Sequence, residues 1–146
     1  MRIPGGLFPV VSESVQDTRR VAADFATLLV AGDVVALYGD LGTGKTEFVR
    51  GVCENFGIDA ASVTSPTFTI VNEYKGDQVT IYHVDAYRIE DESEIFDLGF
   101  EEYLSEAAIV FVEWPERIPS LLDDAVIRLR FEHRTETARQ ITLLSQ

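Results

Sequence analysis

The sequence predicts an α/β fold: a single domain over residues 1–146, three layers deep, around a sheet that mixes parallel and antiparallel strands. Three observations carry this expectation. The run "DVVALYG" is apolar without alternation, as a strand covered on both faces must be, and it leads into a glycine-rich loop and an amphipathic stretch. A second wholly apolar run, "AIVFVEW", has the same character. Two late segments, "AVIRLRFEHR" and "ARQITLLS", alternate instead, which suits an antiparallel pair with one solvated face.

Taken in order, "SESVQDTRRVAADFATLLVAG" repeats Val15, Val21, Ala22, Phe25, Leu28 and Leu29 at helical spacing, with Ser12 or Ser14 as N-cap and Gly32 as stop. "DVVALYG" is the first buried strand. "KTEFVRGVCENF" puts Phe48, Val52 and Phe56 on one stripe and ends at Gly57, a second helix. "SPTFTIVNEY" and "VTIYHVDAYRI" read as strands joined by the turn "KGDQ". "EDESEIFDLGF" and "EEYLSEA" read as short acidic helices with Leu98, Phe100 and Tyr103 turned inward. "AIVFVEW" follows as a buried strand. The closing pair sets Arg128 and Arg130 on one face and Ile127, Leu129 and Phe131 on the other.

Composition narrows the function. A net charge of −13 argues against a broad nucleic-acid surface, because phosphate backbones are held by Lys and Arg. The lone cysteine, Cys53, can form no internal disulfide, and it reads as a small core residue. No run approaches the ~20 apolar residues of a membrane span, and "MRIPGGLFPVVSESV" lacks a signal-peptide core. A cytoplasmic protein is expected, with no membrane contact.

Gly39-Asp40-Leu41-Gly42-Thr43-Gly44-Lys45-Thr46 matches G-x-x-x-x-G-K-[ST] at every position, between an apolar strand and a helix. Glycines let the backbone curl so that successive N–H groups converge on phosphate oxygens, and the helix start adds its positive dipole end. Lys45 supplies charge at the outer phosphates, and Thr46 a hydroxyl for Mg²⁺. The fold class therefore sharpens to a P-loop NTPase-like domain. Such a loop hydrolyses nothing without an acid at a neighbouring strand end. Glu113 ends "AIVFVE", and is either a metal-side acid or a surface strand end. Asp85 ends "VTIYHVD", and either serves the metal or starts a turn. Trp114 reads as a packing aromatic at a strand exit or as a nucleotide contact, and His83 as a packed or solvated histidine. The acids Glu90, Asp91, Glu92, Glu94, Asp97, Glu101, Glu102 and Glu106 form a belt, either a solvated face or a docking surface for a basic partner.

The blocks "LYGDLGTGKT", "TSPTFTIVNEY", "YHVDAYRI", "FDLGFEEYL" and "VEWPER", from about Ser14 to Arg139, resemble the TsaE (YjeE) family in order and spacing. These are small bacterial ATPases required for threonylcarbamoyl-adenosine modification of tRNA. The resemblance implies ATP and Mg²⁺, and action with TsaD- and TsaB-type subunits that meet the tRNA themselves, the hydrolysis resetting that complex between turnovers. It also implies roles: Lys45 at the phosphates, Thr46 and Glu113 at the metal, and Asp85 as a required acid that touches the metal or orients water. Trp114 falls near the nucleotide, Thr64, Ser65, Pro66 and Thr67 in a switch-like segment, and Arg139 at the nucleotide by a weaker match. Two positions depart from the family pattern. Thr43 stands where Ala is common. Glu47 stands where a second Thr is common, and is expected to face solvent or pair with Arg50, leaving backbone N–H groups for the α-phosphate.

The residues leave two rival functions open. A small-molecule kinase would need an acceptor pocket and an arginine lid, and there is no Lys or Arg between Arg88 and Arg117. A non-hydrolysing regulatory module would switch a partner contact through the 64–67 segment.

Overall fold

The computed structural model describes residues 3–4, 6–66, 70–105 and 107–145. Thr67 and Glu106 therefore lie outside the described residues.

Among the described residues, seven strands form one sheet: β1 (Val10–Ser12), β2 (Val34–Tyr38), β3 (Val71–Lys75), β4 (Thr80–Asp85), β5 (Ala108–Glu113), β6 (Ile127–His133) and β7 (Arg139–Ser145), in spatial order β1-β7-β6-β2-β5-β4-β3. The middle four, β6-β2-β5-β4, are parallel, and the flanking β7, β1 and β3 are antiparallel to their neighbours. The mixed sheet expected from the sequence is present. The non-alternating runs became its centre because residues there need apolar contacts on both sides: all six residues of β5 are buried.

Helices cover both faces. On one side, α1 (Val15–Ala26) and α2 (Lys45–Asn55) pack Val21, Phe25, Phe48 and Val52 against Leu37, Phe111, Leu129 and Phe131. On the other, α3 (Ser93–Asp97) and α4 (Phe100–Ser105) bring Ile95 and Phe100 onto Val84, Val110 and Val112. Odd residues of β5 (Ile109, Phe111) serve the first core and even ones (Val110, Val112) the second, the period-two alternation of a strand buried on both faces.

Several boundaries differ from the sequence expectation. Ser14 is the N-cap of α1, its Oγ accepting from the Asp17 N–H, but the helix stops at Ala26, well before Gly32. Leu29 still reaches the core, from the loop. Val15 is 43% exposed and faces the cleft described below. The segment "SPTFTIVNEY" does not run as one strand: Ile70 sits at φ 66, and β3 begins only at Val71. Phe100 turns inward as expected and Tyr103 partly so, whereas Leu98 is 43% exposed, because α3 has ended and Gly99 at φ 85 redirects the chain. Strand β1 was not anticipated.

Candidate functional site

In a parallel sheet the strand C-termini share one edge, and ligands of open α/β sheets bind there. β2 ends at Tyr38 and enters the glycine loop, β4 ends at Asp85, and β5 ends at Glu113, with Asp85 and Glu113 paired in register. His83, Asp85 and Glu113 fall on the same sheet face as Ile81, Ile109 and Phe111, the face that α2 covers. The two sequence-predicted acids and Lys45, the first residue of α2, are thereby brought together. They line a cavity of about 450 Å³ with Thr46, Tyr87 and Arg139, a volume in the usual range for small-molecule sites.

The loop's conformation follows from its glycines. Gly39 adopts φ 145, and a Cβ there would lie 2.6 Å from the Phe131 carbonyl oxygen. Gly44, the N-cap of α2, has φ 96. Thr43, the unusual residue, is buried and donates its hydroxyl to the Asp40 carbonyl at 2.7 Å, so its polar group is satisfied within the loop. Leu41 is 70% exposed at the cleft mouth. Arg139, from β7, donates through Nη2 to the Gly42 carbonyl at 3.0 Å and so braces the loop from outside. Glu47 lines the cleft beside Thr46, with its carboxylate held: it pairs with Arg50, as expected, and also accepts from Arg19 Nε of α1 at 3.0 Å.

The charges are tightly set. Lys45 Nζ donates to the Gly39 carbonyl at 2.5 Å, lies 3.8 Å from Glu113 Oε1, and sits 4.6 Å from the centre of the Trp114 ring. Burial pushes the ammonium below its ordinary pKa, while Glu113, Asp85, Glu116 and Asp40 pull it back up. Burial also pushes the Asp85 carboxyl above its ordinary range. The Tyr87 N–H, which donates to Asp85 Oδ1 at 2.9 Å, lowers it, and Glu113 adds to the rise. Trp114 holds φ 56, a left-handed conformation that costs a bulky residue roughly 1–3 kcal/mol and recurs at ligand sites. That turn puts its ring beside Lys45 and 4.9 Å from Tyr87.

Thr64 is tied to β3, its N–H donating to the Tyr74 hydroxyl and its carbonyl accepting from Asn72; Ser65 lines the cleft. One residue was undervalued in the sequence. His83 is packed, as expected, but its Nε2 lies 2.5 Å from Glu113 Oε2. A histidine two residues before a strand-end acid was the only available signal.

As a donor set, the Thr46 hydroxyl and two carboxylates are hard oxygens, the kind Mg²⁺ prefers. Mg²⁺ usually takes one or two carboxylates together with substrate phosphates. The described residues contain no group of three or more His, Cys, Asp or Glu able to hold a metal on its own.

The sheet, the glycine loop opening a helix, and the acids on the adjacent strand ends define a P-loop-type α/β protein. The family described as "Threonylcarbamoyl adenosine biosynthesis protein TsaE" matches residues 12–141. Among curated relatives, the "tRNA threonylcarbamoyladenosine biosynthesis protein TsaE" of Bacillus subtilis (strain 168) is 40% identical over 127 residues, 87% of this chain and 78% of that one. The protein of the same description from Treponema pallidum (strain Nichols) is 38% identical over 133 residues, 91% and 97% of the two chains. The crystal structure of the Bacillus protein YdiB superposes with a TM-score of 0.75 at 30% identity, over 93% of this chain and 83% of that one. The chain belongs to the TsaE family.

Proposed function

We propose that this protein binds ATP with Mg²⁺ and hydrolyses it in the service of threonylcarbamoyl-adenosine modification of tRNA. The observation that supports this reading best is the convergence of Lys45, Thr46, Asp85 and Glu113 on one cavity, in a chain whose relatives are named for that biosynthesis. The loop N–H groups and the start of α2 bind the phosphates, and Lys45 neutralises charge on the outer ones. The Thr46 hydroxyl and Glu113 hold Mg²⁺, which when bound neutralises charge developing on the transferred phosphoryl group. Asp85 either shares that ion or orients the attacking water. Gly39, Asp40, Leu41, Gly42, Thr43 and Gly44 form the cradle, and Trp114 and Arg139 flank it. Glu47 is a brace between α1 and α2 that leaves the α-phosphate to backbone donors.

TsaD- and TsaB-type subunits are the partners this reading requires, with tRNA held by them and not by a −13 surface. Arg139 is already engaged with the loop. A positive group supplied in trans would then accelerate the step by ~10³–10⁵, as in comparable systems. The protein alone hydrolyses slowly. The two cores share one sheet, which supports a single domain across the chain.

The test is inorganic phosphate release from Mg-ATP with and without the cognate pair. Release that rises with the pair and vanishes in Lys45→Ala is the expected result. ATP binding without Lys45-dependent release under either condition would sink hydrolysis, and transfer to a small acceptor would make the protein a kinase.

A further inference from the structure

Glu113 is 5% exposed, and an ionised carboxylate so deeply placed needs hydrogen bonds as well as a counter-charge. Lys45 supplies charge, but at 3.8 Å it is beyond hydrogen-bond distance. The bond comes from His83, on the neighbouring strand two rungs deeper: His83 is paired with Phe111, and Nε2 reaches diagonally to Glu113 Oε2.

The imidazole is fully buried, and its Nδ1 has no hydrogen-bond partner among the described residues. Because a carboxylate can only accept, Nε2 carries the hydrogen of this bond, and Nδ1 is left without a partner whether or not it is protonated. A buried, unbonded nitrogen is a cost that an apolar residue would avoid at this position, where Ile81 and Phe111 occupy the same face. Packing therefore does not account for a histidine here. Its bond to Glu113 does.

We infer that His83 is a positioning residue: its Nε2–H holds Glu113 Oε2 against the strand, so that Oε1 alone is presented to the cleft for a metal–nucleotide complex. This rests on the reading of Glu113 as the metal-side acid. Groups that hydrogen-bond a ligating side chain fix its orientation, and their loss typically lowers metal affinity or activity by ~10–100-fold.

The experiment measures Mn²⁺ binding to the ADP-saturated protein by electron paramagnetic resonance, alongside metal-free ADP binding followed through the fluorescence of Trp114, the sole tryptophan. In His83→Phe the Mn²⁺ affinity is expected to fall by about 10–100-fold while metal-free ADP affinity is unchanged. In His83→Gln, whose side-chain amide can donate to Oε2, most of the loss is recovered. Should His83→Phe fail to fold, His83→Asn, whose amide is too short for that reach, takes its place with the same expected loss. A folded His83→Phe or His83→Asn with wild-type Mn²⁺ affinity overturns the inference, as does a His83→Gln no better than either. A wild-type protein that binds ADP but no Mn²⁺ overturns instead the metal-side reading of Glu113.

Discussion

Gly51 lies inside α2, where helix propensity alone favours alanine by about 0.8–1.0 kcal/mol. The packing says the opposite. A Cβ at Gly51 would stand 2.7 Å from the Ala22 Cβ, 2.8 Å from the Arg19 carbonyl oxygen and 2.9 Å from the Arg19 Cα. Two of these atoms are backbone, so no rotamer change relieves them and α1 must retreat as a body. Overpacking of this kind costs about 1–3 kcal/mol, and the rigidity of the neighbours places Gly51→Ala in the upper part of that range. After the propensity gain, the net loss is about 1–2 kcal/mol. For a chain of this size that lowers Tm by about 2–8 °C. Thermal and urea unfolding by circular dichroism measure it, with Gly6→Ala as the internal control, since nothing lies within 4 Å of a Cβ there. A Gly51→Ala variant as stable as the parent, or more stable, would mean that α1 yields freely and that the helix contact does not fix the cleft wall carrying Val15 and Thr18.

Two further perturbations test the site and the core. Asp85→Asn should stabilise the ligand-free protein at neutral pH while abolishing phosphate release. Burial raises the native carboxyl pKa above the unfolded one, so above the native value the ionised group is a penalty that Asn removes. That advantage should shrink as pH falls through the raised native value and disappear below the ordinary carboxylate range. An advantage independent of pH would refute the assignment. Cys53, fully buried with its thiol pushed up to about 12, should resist alkylation at mildly basic pH in the native state and react at once in denaturant. Rapid native labelling would show that the core beneath α2 opens readily.

The phosphate loop, its strand and its helix were legible because their chemistry is local: glycine at positive φ, a lysine and a hydroxyl at fixed offsets. The acids at the ends of β4 and β5 could be picked out as strand ends, but that they stand side by side depends on a register the sequence does not display. His83 was hidden for the same reason, since a histidine among apolar residues gives no hint of the strand beside it. β1 escaped because it has three residues and its partner is β7, late in the chain. The break at Ile70 was missed because a β-branched residue gives no sign of a positive φ, although Pro66, whose carbonyl accepts from the Ile70 N–H, stands at the start of the turn. Leu98 was misplaced because a helix of five residues, Ser93–Asp97, is too short for its periodicity to locate the last inward position.

The pairing of β1 with β7 joins an early segment of the chain to a late one, and sets Ser12 opposite Arg139. Ser12 bonds Thr18 in α1, and Arg139 bonds the loop carbonyl of Gly42, so three rungs at the sheet's edge tie the α1 side of the cleft to its β7 side. Short edge pairings are where native proteins fray first. A molecule that spans Val15 and Arg139 and binds only the closed edge would, by linkage, lower the population of the open one. Amide hydrogens of β1 and β7 should therefore gain protection from exchange when the cleft is filled. The same coupling runs backwards, so any partner that peels this edge away would loosen the grip on whatever the cleft contains.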